Sequence, residues 1–137
     1  MEILSNKVCL FTGFEGQLTY NGKPAAGAEV LVHNEYQGET KEIKLTADAD
    51  GKFKFDSLYG SKSKMSLAQF VSHQRIFVTY EGKEIPIWVA GKNSGEEYLE
   101  FDGVPGLVTC ELTEDRRYVQ TKHYSVGTSC HWQVKEN

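Results

Sequence analysis

Four acids interleave with three large apolar side chains in Glu96-Glu97-Tyr98-Leu99-Glu100-Phe101-Asp102, and Gly95 and Gly103 flank the run. Aromatic side chains supply burial when a partner covers them, and carboxylates steer a basic surface toward the same spot. The chemistry this points to is recognition, with Glu96, Glu97, Tyr98, Glu100, Phe101 and Asp102 as partner-binding candidates. The plain alternative is a short edge strand in which Leu99 and Phe101 or Tyr98 are tucked in and the acids are solvated. Trp88 joins the candidates because Ile85, Ile87 and Val89 fill one strand face, which leaves the indole on the other face, under the short helix or in an interface.

Other residues that could do chemistry fall short of a site. Asp48-Ala49-Asp50-Gly51 resembles the start of a calcium loop, but the third acidic ligand is missing and Tyr59 stands where a bidentate Glu would close it. A β-turn explains the stretch. Cys9, Cys110, Cys130, His123 and His131 include zinc-type ligands, yet no Cys-x-x-Cys or His-x-x-x-His pair nucleates a site. The histidines (His33, His73, His123, His131) accompany no Gly-x-Ser-x-Gly elbow, and no Gly-rich loop could cradle phosphates. No catalytic residue, metal ligand or cofactor is assigned on these grounds.

The totals narrow the setting. At 137 residues, 39% hydrophobic and 25% charged, the chain reads as a single globular domain, 1–137, large enough to bury about two-thirds of its unfolded surface. A net charge of −4 disfavours nucleic acid, which requires a basic face, and suits a basic protein partner. No apolar run approaches the roughly 20 residues that cross a bilayer, so no membrane partner is expected. Met1 to Phe11 lacks a basic leader followed by an apolar core and a cleavage site, from which a cytoplasmic location is expected. Three cysteines without an export signal argue for reduced thiols; a Cys110–Cys130 bridge stays open for a chain that meets an oxidising compartment.

The elements that must position these residues are strands. Leu18 and Tyr20 alternate with Gln17 and Thr19, Asn21-Gly22-Lys23-Pro24 supplies turn chemistry, and Val30 and Val32 give the next strand an apolar side. Gly13 and Gly16 mark bulges or close approaches. Asn34 to Glu42 reads as a loop or frayed strand end, followed by a strand with Ile43 and Leu45 inward. Asp50-Gly51 turns the chain into Phe53 and Phe55, which point to the core. Glu81-Gly82 between two β-rich runs predicts a hairpin, whose Pro86 belongs at an edge or a bulge. Spacing over Ser61 to Gln74 (Met65, Leu67, Phe70, Val71) predicts a short helix capped by Ser61 or Ser63. Asn93 to Gly106 is longer than a routine connection. Leu107 to Leu112 reads as a strand, Glu114 to Thr121 as a charged stretch, and Lys122 to Trp132 as a final strand broken at Gly127. The sum is an all-β, antiparallel β-sandwich of seven to eight strands with one short helix.

The strand ending in Asn21-Gly22-Lys23-Pro24, the small-residue step Ala25-Ala26-Gly27-Ala28 into Val30-Leu31-Val32, and Thr46 through Asp50-Gly51-Lys52-Phe53-Lys54-Phe55 resemble the carboxypeptidase regulatory-like domains of the transthyretin-like and Cna B-type group. The resemblance covers residues 13 to 55 and implies a sandwich, not an activity. Transthyretin-like hydrolases end in a Tyr-Arg-Gly-Ser-type tail, whereas this chain ends Trp132-Gln133-Val134-Lys135-Glu136-Asn137. The whole chain also resembles small Gram-negative bacterial proteins that carry a Val-Cys-Leu-Phe start (Val8 to Phe11) and a late Leu-Val-x-Cys-x-Leu strand (Leu107 to Leu112). By analogy of context, that likeness implies an immunity or accessory protein neutralising a secreted antibacterial, type VI-like effector. The function expected is therefore a non-catalytic protein-binding module whose partner is a basic toxin or effector. The alternatives are a carbohydrate- or small-ligand-binding sandwich stacking on Trp88, Tyr98 and Trp132, a hydrolase using His33 or His123, and a structural appendage.

Overall fold

The computed structural model describes residues 5–63 and 69–135. These form thirteen strands and, among the described residues, no helix: β1 Ser5–Phe11, β2 Phe14–Tyr20, β3 Lys23–Pro24, β4 Glu29–Tyr36, β5 Glu39–Thr46, β6 Lys52–Phe55, β7 Leu58–Ser63, β8 Ser72–Tyr80, β9 Lys83–Lys92, β10 Val108–Glu111, β11 Arg117–Gln120, β12 Ser125–Thr128 and β13 Cys130–His131. The all-β class stands as expected, with more and shorter strands. The helix expected over Ser61 to Gln74 does not form where it can be followed: Ser61–Ser63 close β7 and Ser72–Gln74 open β8. Met65 and Leu67 lie outside the described residues. The reason is a strand alternation carried by polar groups, Ser72 and Gln74 inside and His73 outside, which apolar spacing does not reveal.

The largest sheet has the order β11-β12-β9-β8-β4-β5, and a second has β13-β10-β2-β3 with β6 also on β2. A two-stranded sheet pairs β1 with β7. Among the described residues the strand pairings are antiparallel except β2 with β10, which run parallel with Gly16 opposite Val108. One core lies against the two large sheets: Phe14, Leu18, Phe53, Phe55, Val108 and Cys110 from one side, Val30, Val32, Ile76, Val78, Ile87 and Trp88 from the other. A smaller cluster of Val8, Leu10, Tyr36 and Phe70 fills the end under β1.

Turn chemistry explains most of the hairpins. Asn21-Gly22, Gln37-Gly38 and Glu81-Gly82 all take positive φ in succession, the two-residue geometry that matches the twist of paired strands. Gln37-Gly38 turns β4 straight into β5, so Asn34 to Glu42 is hairpin and not loop. Gly13 is a close approach: a Cβ there would sit 2.3 Å from the Phe55 carbonyl oxygen, and at this point the chain leaves β1 for a different sheet. The final strand breaks at Ser129, between β12 and β13, while Gly127 stays paired with Val89.

Pro86 sits at a bulge. Ile76 pairs with Trp88 but Phe77 pairs with Pro86, so Ile87 is the extra residue. A bulge re-aims the side chains that follow it. Here Ile87 and Trp88, neighbours in sequence, are both buried, and Ala90 and Lys92 continue the inward set.

Glu111 ties β10 to the first hairpin. Its carboxylate accepts from the backbone N–H of Asn21 (3.0 Å) and Gly22 (2.7 Å), from the Thr19 hydroxyl (3.0 Å), and from Thr113. Burial alone would raise its pKa, but the hydrogen bonds from Thr113, Gly22 and Thr19 outweigh it and hold the group at about 2. A depressed carboxylate contributes stability that is complete above its unfolded value of 4.5 and is lost as pH falls from there toward 2. Glu111→Gln is therefore expected to flatten the acid limb of a urea-denaturation series between those two values. An unchanged acid limb would assign that limb to other groups.

Candidate functional site

Residues 93–107 connect β9 to β10, and their conformation depends on one buried carboxylate. Glu100 has no exposed surface. One carboxylate oxygen accepts from the Thr12 N–H at 2.8 Å and the Gln74 side-chain amide at 2.9 Å; the other accepts from the Thr12 hydroxyl at 2.8 Å and the Lys92 ammonium at 3.3 Å. Lys92, also fully buried, donates in addition to the Glu96 carbonyl. The Thr12 hydroxyl in turn accepts the Tyr98 N–H at 2.9 Å. Gln74 completes the network by donating to the Leu10 carbonyl and accepting the Trp88 indole N–H at 3.0 Å. A buried charge persists only when paired and hydrogen-bonded, and this one is engaged at both oxygens.

Phe101 follows directly into the core. Its ring lies 5.4 Å from Phe14, 5.3 Å from Trp88 and 5.1 Å from Trp132, centroid to centroid. The loop beyond it lies along the C-terminal segment: Trp132 donates to the Phe101 carbonyl, Gly106 to Gln133, and Lys135 to Val104. Gly103 needs to be glycine here, with φ of +139° and Val134 Cγ1 2.6 Å from where a Cβ would stand. The C-terminal segment is itself held by a Cys110–Cys130 disulfide between paired residues of β10 and β13. The expectation of reduced thiols is thus corrected for these two, which the sheet register brings face to face; Cys9 is free and buried. Burial pushes the Cys9 thiol up, opposed by the nearby Lys92 charge. Tyr124, buried and close to the Glu100 charge, is pushed up to about 12.

The seven expected contact residues therefore divide. Trp88 (0% exposed), Glu100 (0%) and Phe101 (1%) are interior and offer a partner no surface; their assignment as contacts is corrected to one of anchors. Trp88 also leaves the set of stacking platforms. Glu96, Glu97 and Asp102 are exposed and Tyr98 is half-buried. Glu97 accepts the Tyr59 hydroxyl at 2.6 Å, and Asp102 accepts the Lys122 N–H at 3.0 Å. Val104, Leu107 and Val134 are exposed apolar neighbours along the same edge. Thr12, Gln74 and Lys92 carry the anchor and were missed. The available signal was alternation: Lys92 stands two and four places after Ala90 and Trp88, on a strand that runs on past Val89.

The chemistry set aside in the sequence is also located. His33 pairs with Glu42 at 2.9 Å, and His131 with Glu114 at 2.7 Å. Gly51 N–H donates to the Asp48 carbonyl at 2.9 Å, as in a β-turn, and the Asp48 carboxylate accepts the N–H groups of Asp50 and Lys52 at 2.9 Å. Among the described residues no three His, Cys, Asp or Glu side chains are grouped to hold a metal ion, and no helix is long and apolar enough to cross a membrane.

A family model described as Domain of unknown function (DUF6795) matches residues 14–115, a span that runs from β2 through β10 and contains the whole connecting loop. No curated protein and no solved structure matches the chain.

Proposed function

The chain belongs to the DUF6795 family, and we propose that its working surface is the loop at 96–102, acting by protein binding and not by catalysis. The observation that carries this reading is the anchor. A connection of this length is ordinarily mobile, yet Glu100 and Phe101 pin it from below while Glu96, Glu97 and Asp102 face outward. Ordering a loop before binding removes an entropic cost from association, and three exposed carboxylates steer a basic partner. The concrete form is an immunity or accessory protein that occludes a basic antibacterial effector, on a two-layer sandwich of the regulatory-like kind. The Cys110–Cys130 bridge favours at least one stage in an oxidising compartment.

The test is affinity capture from the native host at low and moderate salt, parent against Glu96→Lys/Glu97→Lys. Glu100 is excluded from the charge reversal because its replacement would unfold the loop's support. A basic partner retained by the parent, released by salt, and weakened at least about ten-fold by the double variant supports the reading; about ten-fold corresponds to 1.4 kcal/mol. Undiminished capture by the variant sinks it.

A further inference from the structure

The inward face of the largest sheet changes character along β4 and β5. At one end the paired residues on that face are Val30 with Leu45 and Val32 with Ile43; at the other they are Asn34 and Tyr36, both buried, with Lys41 and Glu39, both exposed. That polar end faces β1 and β7 across a groove of about 540 Å³ lined by Lys7, Asn34, Tyr36, Glu39, Lys41 and Tyr59, among others. Interior positions of a β-sheet are ordinarily apolar, so polar groups there require a partner.

Among the described residues, two of them have none. Asn34 is fully buried and its amide nitrogen is turned to Ser72 and the His73 carbonyl, which leaves Oδ1 unpartnered. The Tyr36 hydroxyl, two residues along the same face, is buried and likewise unpartnered. Lys41 at the rim donates to the Tyr59 carbonyl at 2.7 Å, and the Lys7 ammonium stands 4.1 Å from the centroid of the Tyr59 ring. Lys7 and Lys41 both line the groove, with Glu39 as the acid beside them.

We propose that this groove is a binding site for a small hydroxylated carboxylate of the sugar-acid type. A hydroxyl is the group that can both donate to Asn34 Oδ1 and accept from Tyr36, since it carries donor and acceptor together. The two ammonium groups at the mouth select a carboxylate on the same molecule. Asn34 and Tyr36 line the groove and the two atoms are buried, so a ligand pairs them by displacing the groups that cover them. The groove meets the acidic loop at Tyr59, whose hydroxyl donates to Glu97, but the groups proposed to hold the ligand, on Asn34, Tyr36, Lys7 and Lys41, lie outside that loop.

The test titrates the full chain with glucuronate, glucose and acetate, following backbone amide NMR shifts. Expected are saturable shifts at Asn34, Tyr36, Lys41 and Tyr59, with glucuronate at least about ten-fold tighter than either control. Tyr36→Phe removes only the hydroxyl: it is expected to leave the thermal midpoint equal or higher, because an unpaired buried group is gone, while weakening glucuronate about ten-fold. No saturable shift with glucuronate, equal response to all three probes, or a Tyr36→Phe variant that binds like the parent would overturn the proposal and leave the groove to solvent.

Discussion

Glu100→Ala is expected to cost about 3–5 kcal/mol of folding stability, read from urea denaturation, because it strands a buried partner charge. The Lys92 ammonium would remain with no exposed surface and no counter-charge, and the Thr12 N–H, Thr12 hydroxyl and Gln74 amide would each lose an acceptor. A domain of this size is stable by about 5–15 kcal/mol in total, so the variant stands near the edge of folding. The accompanying double change Lys92→Met/Glu100→Met separates the causes. Replacing both charges by apolar groups of similar volume is often neutral or better, so the pair should recover most of the loss. It should still loosen the Tyr98–Asp102 turn, visible as faster amide exchange at Tyr98. A Glu100→Ala loss below about 1 kcal/mol, the scale of an exposed ion pair, would show that the network is not the support described.

The second large effect belongs to Trp88. Truncating a buried Trp to Ala costs about 3–5 kcal/mol through lost transfer energy and the cavity left behind. Here the indole also stacks on Phe11 at 6.1 Å, packs on Phe14 at 5.9 Å and Trp132 at 5.8 Å, and donates to Gln74. Trp88→Ala is expected to lower the denaturation midpoint by that amount and to collapse the near-UV circular dichroism of the aromatic cluster. Trp88→Phe keeps much of the volume and should cost less, the remainder being the orphaned Gln74 oxygen. A Trp88→Ala chain with native stability but weakened partner binding would return Trp88 to the surface.

The difference between what was legible in the sequence and what was not has a physical basis. Turns at Asn21-Gly22 and Glu81-Gly82 were legible because the residues that tolerate positive φ are few and local. Gln37-Gly38 was not, since the residues around it, Asn34 to Glu42, are mostly polar and offer no β-rich run on either side. Phe53 and Phe55 announced their face by alternating with lysines. Pro86 marked a bulge, but the bulge's effect, two consecutive buried residues at Ile87 and Trp88, follows only from the register of β8 against β9. The anchor was hidden for a deeper reason. Alternation with Trp88 and Ala90 puts Lys92 on the inward face, but Glu100 stands among solvated acids, and nothing local marks it as the partner that lets Lys92 stay buried. The disulfide was an open possibility that only the pairing of β10 with β13 could decide.

The parallel pairing of β2 with β10 has a consequence for the chain as it is made. Gly16 waits for Val108, so one edge of β2 stays without its final neighbour while the intervening residues are added. At about 5–20 residues per second that wait lasts on the order of 5–20 s. Phe14 and Leu18 belong to the core that β10 completes, so the nascent protein carries an open, partly apolar strand edge for that time. Such an edge is a site for holding chaperones and for wrong pairing with a neighbouring chain. Cys110 arrives on the strand that ends the exposure, and its partner Cys130 follows twenty residues later. The bond can form only once Cys130 has been added, after both strands of the β2–β10 pair have been made.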